Sequence, residues 1–361
     1  MLIAIRPVQR PSQAKLLVVD APGHISHVRR STWVDQLRPS DVIVANDAAT
    51  LPASLAGRHD PTQAPIEVRL AGRRSLGAGD VHDFWAIVFG AGDFHIRTED
   101  RPPPPQLTPG DRLTLGPLTA TVKSLLDHPR LVALHFEGAA DAIWSGIARH
   151  GRPIQYAHVA EALALWDVWT PIAGPPVAFE PPSAGFMLDW RALVALRGRG
   201  VQFATLTHAA GISSTGDDVL DRRLPLDEPY RIPAATARII AGTHQRGGRV
   251  VAIGTTVTRA LEHAASGDGR VRAGDGLATQ RLGPASRLRV VDAILTGIHE
   301  PATSHFELLR AFQDDVTLYR VSQELETQAY RTHEFGDSVL IEAAKPPEGS
   351  LYGIAAVHTY A

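Results

Sequence analysis

The chain has 361 residues, of which 44% are hydrophobic, and its formal net charge at pH 7 is −2. This length and apolar content are typical of a globular protein with two domains. Many nucleic-acid-binding proteins are basic overall and this chain is not, although its net charge does not exclude a local basic patch. The absence of cysteine excludes disulfides, thiolate catalysis and cysteine-bound metal. No apolar run approaches the ~20 residues of a membrane helix, and the N-terminus lacks a signal-peptide core, so we expect a cytoplasmic protein.

The first predicted elements along the chain are extended. Apolar runs at residues 14–20 and 24–29 predict a β-hairpin, and a third run at 42–45 predicts a buried strand. The third run ends at Asn46 and Asp47. Their side chains either close the strand in an Asx turn or contact a substrate, and the sequence leaves both alternatives open.

From about residue 57 to residue 150 the chain changes character. Short β-like runs are separated by Gly, Pro and Asp, a pattern that is typical of a small antiparallel β-barrel. The predicted barrel strands are 66–70, 84–89, 93–97, 112–115, 120–124 and 131–136.

Beyond the predicted barrel, helical and extended patterns alternate. The apolar spacing of residues 154–167 favours an amphipathic helix. Asp189 is the predicted N-cap of a helix that ends at residue 197, and residues 234–245 predict another helix. The Gly- and Asp-rich run 267–276 predicts a surface loop without a strand.

One junction in the C-terminal part predicts a strand, a tight turn and a helix. The apolar run 250–253 ends at Gly254, two threonines follow (Thr255 and Thr256), and Arg259 is the first charged residue of the helix. Such a junction directs free N–H groups and the positive end of the helix dipole at whatever lies above the sheet edge.

A second junction has the same form. An apolar run from residue 290 ends at Thr296, and a polar loop with His299, Pro301 and Ser304 leads into a helix. Two strands of an open α/β sheet that end in polar loops on the same side form a pocket. We therefore expect the two junctions to lie together if their strands are parallel neighbours.

These runs resemble the S-adenosylmethionine:tRNA ribosyltransferase-isomerase family of queuosine biosynthesis. Residues 254–262 are similar to the family's G-T-T-S-V-R-T-L-E run, and residues 296–304 to its T-N-F-H-L-P-K-S-T run. The N-D pair at 46–47 and the segment 330–337, which is similar to Y-R-F-F-S-Y-G-D, add to the resemblance. It therefore spans most of the chain, although the tail from residue 342 has no counterpart.

The resemblance implies a fold, a reaction and partners. The fold is a mixed-sheet α/β domain, here residues 1–57 and 151–361, with an antiparallel β-barrel inserted at 58–150. The family transfers the ribosyl part of S-adenosylmethionine to a 7-aminomethyl-7-deazaguanine in tRNA, isomerises it, and releases adenine and methionine. S-adenosylmethionine is then a substrate, no prosthetic group or metal is expected, tRNA is the expected partner, and the protein is expected to be a monomer.

This reaction needs a base with a pKa near neutrality and acceptors for the ribose hydroxyls. His299 is the best candidate base by residue type, because the ordinary pKa of histidine is ~6.5. Glu262 and Glu228 are candidate hydroxyl acceptors, and Arg259 either binds a carboxylate or pairs with Glu262 on its own helix. Thr255 and Thr256 bind substrate or only cap the helix, and Asp337 contacts substrate or only forms a turn. The full set of expected substrate contacts is Asn46, Asp47, Thr255, Thr256, Arg259, Thr296, Ser304, Tyr330, Gly336 and Asp337.

Some positions depart from the family's motifs. Ala49 and Ser54 stand where the family has arginines, and Met187 and Leu226 stand where it has histidines; the prolines at 102–105 replace cations. Two alternatives therefore stay open. One is a divergent paralogue that uses the same nucleoside pocket on a small-molecule acceptor, and the other is a non-catalytic binding protein. His299-Glu300 and His305 lack the spacing of a zinc-binding H-E-x-x-H helix.

Overall fold

The structure is a computed structural model that describes residues 1–344. A nine-stranded mixed sheet with helices and a closed six-stranded antiparallel barrel make up most of it, which confirms the predicted fold class. The part of the tail beyond residue 344 lies outside the described residues. The strands are β1 (Leu2–Ile3), β2 (Lys15–Val19), β3 (Ile25–Arg29), β4 (Val42–Asn46), β5 (Ala49–Thr50), β6 (Ser54–His59), β7 (Pro65–Gly72), β8 (Asp83–Phe89), β9 (Arg112–Leu115), β10 (Leu118–His128), β11 (Leu131–Phe136), β12 (Pro176–Ala178), β13 (Gln202–His208), β14 (Glu228–Ile232), β15 (Val250–Ile253), β16 (Gly274–Ala278), β17 (Ala293–Gly297), β18 (Arg331–Thr332) and β19 (Ser338–Glu342).

Helices connect these strands. Over the described part of the chain, none of them is long and apolar enough to cross a membrane. The α-helices are α1 (Ala140–His150), α2 (Leu165–Val168), α3 (Trp190–Gly198), α4 (Asp218–Asp221), α5 (Ala234–Gln245), α6 (Thr255–Ala264), α7 (Ser304–Leu309) and α8 (Asp315–Thr327), and 3₁₀ helices cover Arg30–Gln36, Thr98–Asp100 and Ser183–Met187.

The large sheet has the strand order β16-β14-β13-β4-β15-β17-β19-β2-β3. Its centre, β13 to β17, is parallel, and every residue of β4 and β15 is buried. Helices cover both faces: α5, α6 and α8 pack into one core cluster and α3 into another. Central parallel strands therefore carry continuous apolar runs rather than an alternating pattern, which is why the sequence predicts them well.

The register of the sheet decides where the two junctions meet. β15 and β17 are parallel neighbours, with Ile253 opposite Leu295. The carboxyl ends of both strands therefore reach the same edge, and the turn at Gly254 lies beside the loop that follows Thr296. This confirms the expected adjacency of the two junctions.

The barrel closes in the order β10-β11-β8-β7-β6-β9, with antiparallel pairs throughout. Five of the six predicted runs form its strands. The run 93–97 does not, because the Asp93 side chain accepts from the His95 amide and turns the chain after Gly92. The remaining strand, Ser54–His59, was not predicted, since its Gly, Arg and His weaken the β pattern. The barrel thus begins before residue 58.

Two further predictions are wrong. Residues 154–167 are not one helix: only Leu165–Val168 is helical, and the Gln155 side chain donates to the carbonyls of Val159 and Glu161 at 2.7 Å each. Those carbonyls are thereby paired outside any helix. The run 267–276 was predicted to be a loop, but its end belongs to β16, which pairs antiparallel with β14. A Gly- and Asp-rich segment can form an edge strand when the neighbouring strand supplies its backbone hydrogen-bond partners.

Other predictions of where helices and strands begin and end are confirmed. Asp189 caps α3, as predicted, because its carboxylate accepts from the Ala192 amide at 2.6 Å. The predicted bounds of α5 and β15 agree with the structure.

Candidate functional site

A cavity of about 840 Å³ lies at the carboxyl edge of the central strands. One wall comes from the turn after β15 and the loop after β17. Three loops, around residues 156–158, 180–184 and 332–334, and residues 97–99 of the barrel segment also line the cavity. This volume is typical of sites for nucleoside-sized ligands.

The turn after β15 presents a helix N-terminus to the cavity. Gly254 has a φ of 92°, and a Cβ there would lie 3.3 Å from the Ala184 Cβ, so a side chain would be strained. Thr255 and Thr256 line the cavity, and no side chain among residues 1–344 caps α6. The capping alternative for the two threonines is therefore wrong. The first amides of α6 have no intrahelical acceptor and favour an anionic group, such as a carboxylate.

Arg259 and Glu228 form a buried ion pair on the cavity wall. The Arg259 Nη1 donates to the Glu228 carboxylate, and its Nη2 donates to the carbonyls of Leu226 and Ala278 at 3.1 and 2.9 Å. Burial raises the pKa of Glu228, and the charge of Arg259 opposes that rise. The pair ties α6 to β14 and β16. The suggested pair of Arg259 with Glu262 is thus wrong.

Glu262 lies outside the cavity lining. Its carboxylate accepts hydrogen bonds from the amides of Arg289, Val290 and Val291 at 2.7, 3.0 and 2.9 Å. These contacts stabilise the chain reversal before β17 and use the acceptor capacity that a ribose hydroxyl would need. We therefore remove Glu262 from the candidate hydroxyl acceptors.

His299 lines the cavity in the loop between β17 and α7. Its Nε2 lies 2.8 Å from the Thr296 hydroxyl, and its ring stacks on that of His305 with centroids 4.8 Å apart. Burial lowers the pKa of His299 well below its ordinary value and that of His305 to about 4. Both imidazoles are therefore neutral at pH 7, the form in which histidine accepts a proton. The lowered pKa also makes His299 a weaker base than an ordinary histidine, so its pKa is not near neutrality as the sequence led us to expect. Ser304, the first residue of α7, also lines the cavity.

Asn46 and Asp47 do not line the cavity. The Asn46 carboxamide oxygen accepts from the amides of Ala48 and His208 at 3.1 and 2.9 Å, which forms the Asx turn of the first alternative. Asp47 accepts from the Thr207 hydroxyl at 2.6 Å. Both side chains join the ends of β4 and β13.

Tyr330, Gly336 and Asp337 also lie outside the lining. The Tyr330 hydroxyl contacts His27 Nδ1 at 2.9 Å, and Asp337 accepts from the amides of Lys15 and Arg331 at 2.7 and 2.8 Å. Asp337 therefore has the turn role. A Cβ at Gly336 would lie 2.3 Å from the Arg331 carbonyl oxygen, so the backbone needs glycine there.

The lining also contains titratable residues that were not predicted from the sequence: Tyr156, His158, Glu180, His333 and Glu334. The Tyr156 hydroxyl donates to Glu180, and His158 Nε2 lies 3.1 Å from a Glu334 carboxylate oxygen. Burial raises the pKa of Glu180 to about 7, and hydrogen bonds from Ser213 and Tyr156 oppose that rise. These residues come from separate loops without periodic patterns. Only His333 and Glu334 had a signal besides residue type, because they lie in the segment 330–337 that resembles the family.

The raised pKa of Glu180 predicts a pH-dependent stability. Its ordinary pKa is 4.5, so between pH 4.5 and 7 the folded protein keeps a proton that the unfolded chain releases. The free energy of unfolding should therefore fall as pH rises through this window. Glu180→Gln removes this effect. The free energy of unfolding of the variant, relative to that of the wild type, should therefore rise by up to ~3 kcal/mol between pH 4.5 and pH 7.5. Urea unfolding at both pH values measures the gain. Glu161→Gln, at an exposed position, is the control, and a gain that is independent of pH would contradict the prediction.

Comparison with known proteins identifies the family of the chain. The family described as queuosine biosynthesis protein matches residues 1–341. The S-adenosylmethionine:tRNA ribosyltransferase-isomerase of Pelobacter propionicus is 32% identical over 351 residues, which cover 94% of this chain and 96% of that protein. The protein of the same name from Methylobacterium sp. is 32% identical over 358 residues, covering 95% and 96%.

A solved structure is also similar to this chain. It is the crystal structure of an S-adenosylmethionine tRNA ribosyltransferase from Thermotoga maritima, with 23% identity, coverage of 94% of this chain and 96% of the other, and a TM-score of 0.49. The family match and the two relatives extend over nearly the whole sequence, and on that basis this chain belongs to the family of queuosine biosynthesis proteins.

Proposed function

We propose that the protein is an S-adenosylmethionine:tRNA ribosyltransferase-isomerase that acts in the cytoplasm as a monomer. It transfers the ribosyl moiety of S-adenosylmethionine to a 7-aminomethyl-7-deazaguanine in tRNA, isomerises it, and releases adenine and methionine. The observation that carries the proposal is that Thr255, Thr256 and His299 come from the two runs that resemble the family and line one cavity. The names of the relatives support ribosyl transfer and isomerisation with S-adenosylmethionine and tRNA.

The charges of the cavity suit this substrate. Arg97 pairs with Glu99, and Arg259 with Glu228. The other acidic residues of the lining, Glu180, Glu300 and Glu334, have no such arginine in the described part of the chain. The charge of Glu300 and Glu334 favours the sulfonium and ammonium of S-adenosylmethionine, while the N-terminus of α6 favours its carboxylate.

The proposed chemistry follows from the protonation states. Neutral His299 removes the proton beside the sulfonium, and adenine then leaves. A group that donates a proton to the departing purine must be protonated near pH 7. Glu180 meets this requirement, since its pKa is about 7 and it lines the cavity.

Release of adenine tests the proposal. The protein is incubated with S-adenosylmethionine and a tRNA that carries 7-aminomethyl-7-deazaguanine, and adenine is quantified by chromatography. We expect adenine in stoichiometric excess over enzyme, together with a mass increase on the tRNA. The control is the same tRNA with unmodified guanine. If no adenine forms under any tRNA condition, the proposal is wrong.

A small-molecule acceptor is the second candidate, and the composition of the cavity favours it. Five glutamates but only two arginines line the cavity, and the net charge of the chain is −2. Ala49 and Met187, which replace the family's cationic and histidine positions, are both buried, and Met187 packs in an apolar cluster. A filter-binding titration with tRNA distinguishes the candidates, because several phosphate contacts give a steep loss of affinity with salt. The non-catalytic alternative fails if adenine is released with turnover.

A further inference from the structure

His158, His333 and Glu334 form a cluster on the cavity wall whose donor atoms all lie within 4.8 Å of one another. We propose that these three side chains bind a divalent transition-metal ion, such as Zn²⁺, with its remaining coordination positions open to the cavity. The family resemblance implies no metal, and the zinc motif that the sequence excludes concerns only His299 and His305.

The donor set suits such an ion. Two imidazoles and one carboxylate are a common protein ligand set for Zn²⁺ and Fe²⁺, and three protein ligands leave positions free for a bound molecule. Ligands at 2.0–2.1 Å from a tetrahedral ion lie roughly 3.3 Å apart. His158 Nε2 and the Glu334 oxygen are already 3.1 Å apart.

The two imidazoles need one adjustment. Their rings stack with centroids 4.1 Å apart and an interplanar angle of 19°, so their lone pairs run side by side rather than converging. Rotation of His333 about its side-chain torsions brings its lone pair toward the position between His158 and Glu334. Both rings line the cavity, so this rotation meets open space rather than packed side chains.

Apolar packing holds together the loops that carry the cluster. Val159 follows the His158 loop, and Phe335 follows Glu334; both belong to one small apolar cluster that also contains Phe186. The rings of Phe186 and Phe335 stack at 5.5 Å. His333 has a φ of 69°, a backbone conformation that residues other than glycine rarely adopt. The backbone thus accepts strain at the position that supplies the second imidazole.

Calorimetry with zinc tests the site without any substrate, so its outcome is independent of the proposed reaction. The probe is ZnCl₂, titrated into the untagged full chain at pH 7.5 after chelator treatment. We expect one ion per chain with a micromolar or tighter Kd. His158→Ala and Glu334→Gln should each weaken binding by at least about tenfold. Co²⁺ should give visible absorption bands that both variants lose.

The barrel offers a matched control. His135 pairs with Asp83 at 2.8 Å and stacks on His82 with centroids 5.7 Å apart, which gives two histidines and a carboxylate at an exposed position. His135→Ala should leave zinc binding unchanged. The proposal is overturned if the wild-type protein does not bind zinc at concentrations up to about 100 μM. It is also overturned if His135→Ala and His158→Ala lose zinc affinity equally. Circular dichroism confirms that each variant is folded; if His158→Ala is not, the more conservative Glu334→Gln decides.

Discussion

Substituting His299→Asn is expected to lower turnover by about 10²–10⁴-fold, the usual contribution of general acid–base catalysis. Asparagine resembles the Nδ1 edge of the imidazole in size and polarity but cannot take up the proton. In the tautomer in which Nε2–H donates to Thr296 at 2.8 Å, Nδ1 holds the free lone pair. Adenine release under saturating substrate measures the loss. Affinity for S-adenosylmethionine and the Tm should change little.

The low pKa of His299 adds a pH test. Because the ring is neutral throughout the range above its ordinary pKa, wild-type activity should not decline between pH 8 and pH 6.5 on account of this residue. The control is His150→Asn, since His150 donates to the Ala56 carbonyl on the barrel, away from the cavity lining. A His299→Asn variant with a lower Tm but normal activity per folded molecule would remove His299 from the mechanism.

Substituting Arg259→Met is expected to destabilise the fold by about 3–5 kcal/mol, because it leaves the buried Glu228 carboxylate without its partner. Arg259 and Glu228 are only 3% and 5% exposed. The variant also leaves the carbonyls of Leu226 and Ala278 without a donor. Since the pKa of Glu228 is raised by burial, its protonation offsets part of the loss at low pH. Denaturant unfolding should therefore show a larger loss at pH 8 than at pH 5.5.

A double-mutant cycle separates the ion pair from general damage. Adding Glu228→Gln to Arg259→Met should recover part of the stability, because the uncompensated charge is gone. Arg231→Met is the matched control. Arg231 joins the same two strands through Asp275 at 2.6 and 3.0 Å, but on an exposed surface, so the Tm should barely change. Equal losses in Arg231→Met and Arg259→Met would contradict the assigned role.

The sequence determined the elements whose signal is local and strong. The apolar run of β15, the turn at Gly254 and the helix after it follow from hydrophobic pattern and backbone preference within a dozen residues. The same holds for α5 and for the Asp189 cap. Because central parallel strands end at one edge, the meeting of the Gly254 and His299 junctions was also predictable.

Only the tertiary structure decided the partners of the charged side chains. Glu262 is three positions from Arg259, yet its carboxylate accepts hydrogen bonds from three backbone amides near β17. Those amides are buried and need acceptors. Arg259 instead pairs with Glu228, 31 residues away. His158 meets Glu334 across 176 residues, and β16 becomes a strand because β14 offers a ladder. Such contacts depend on how packed elements bring distant residues together, and spacing along the chain carries no information about them.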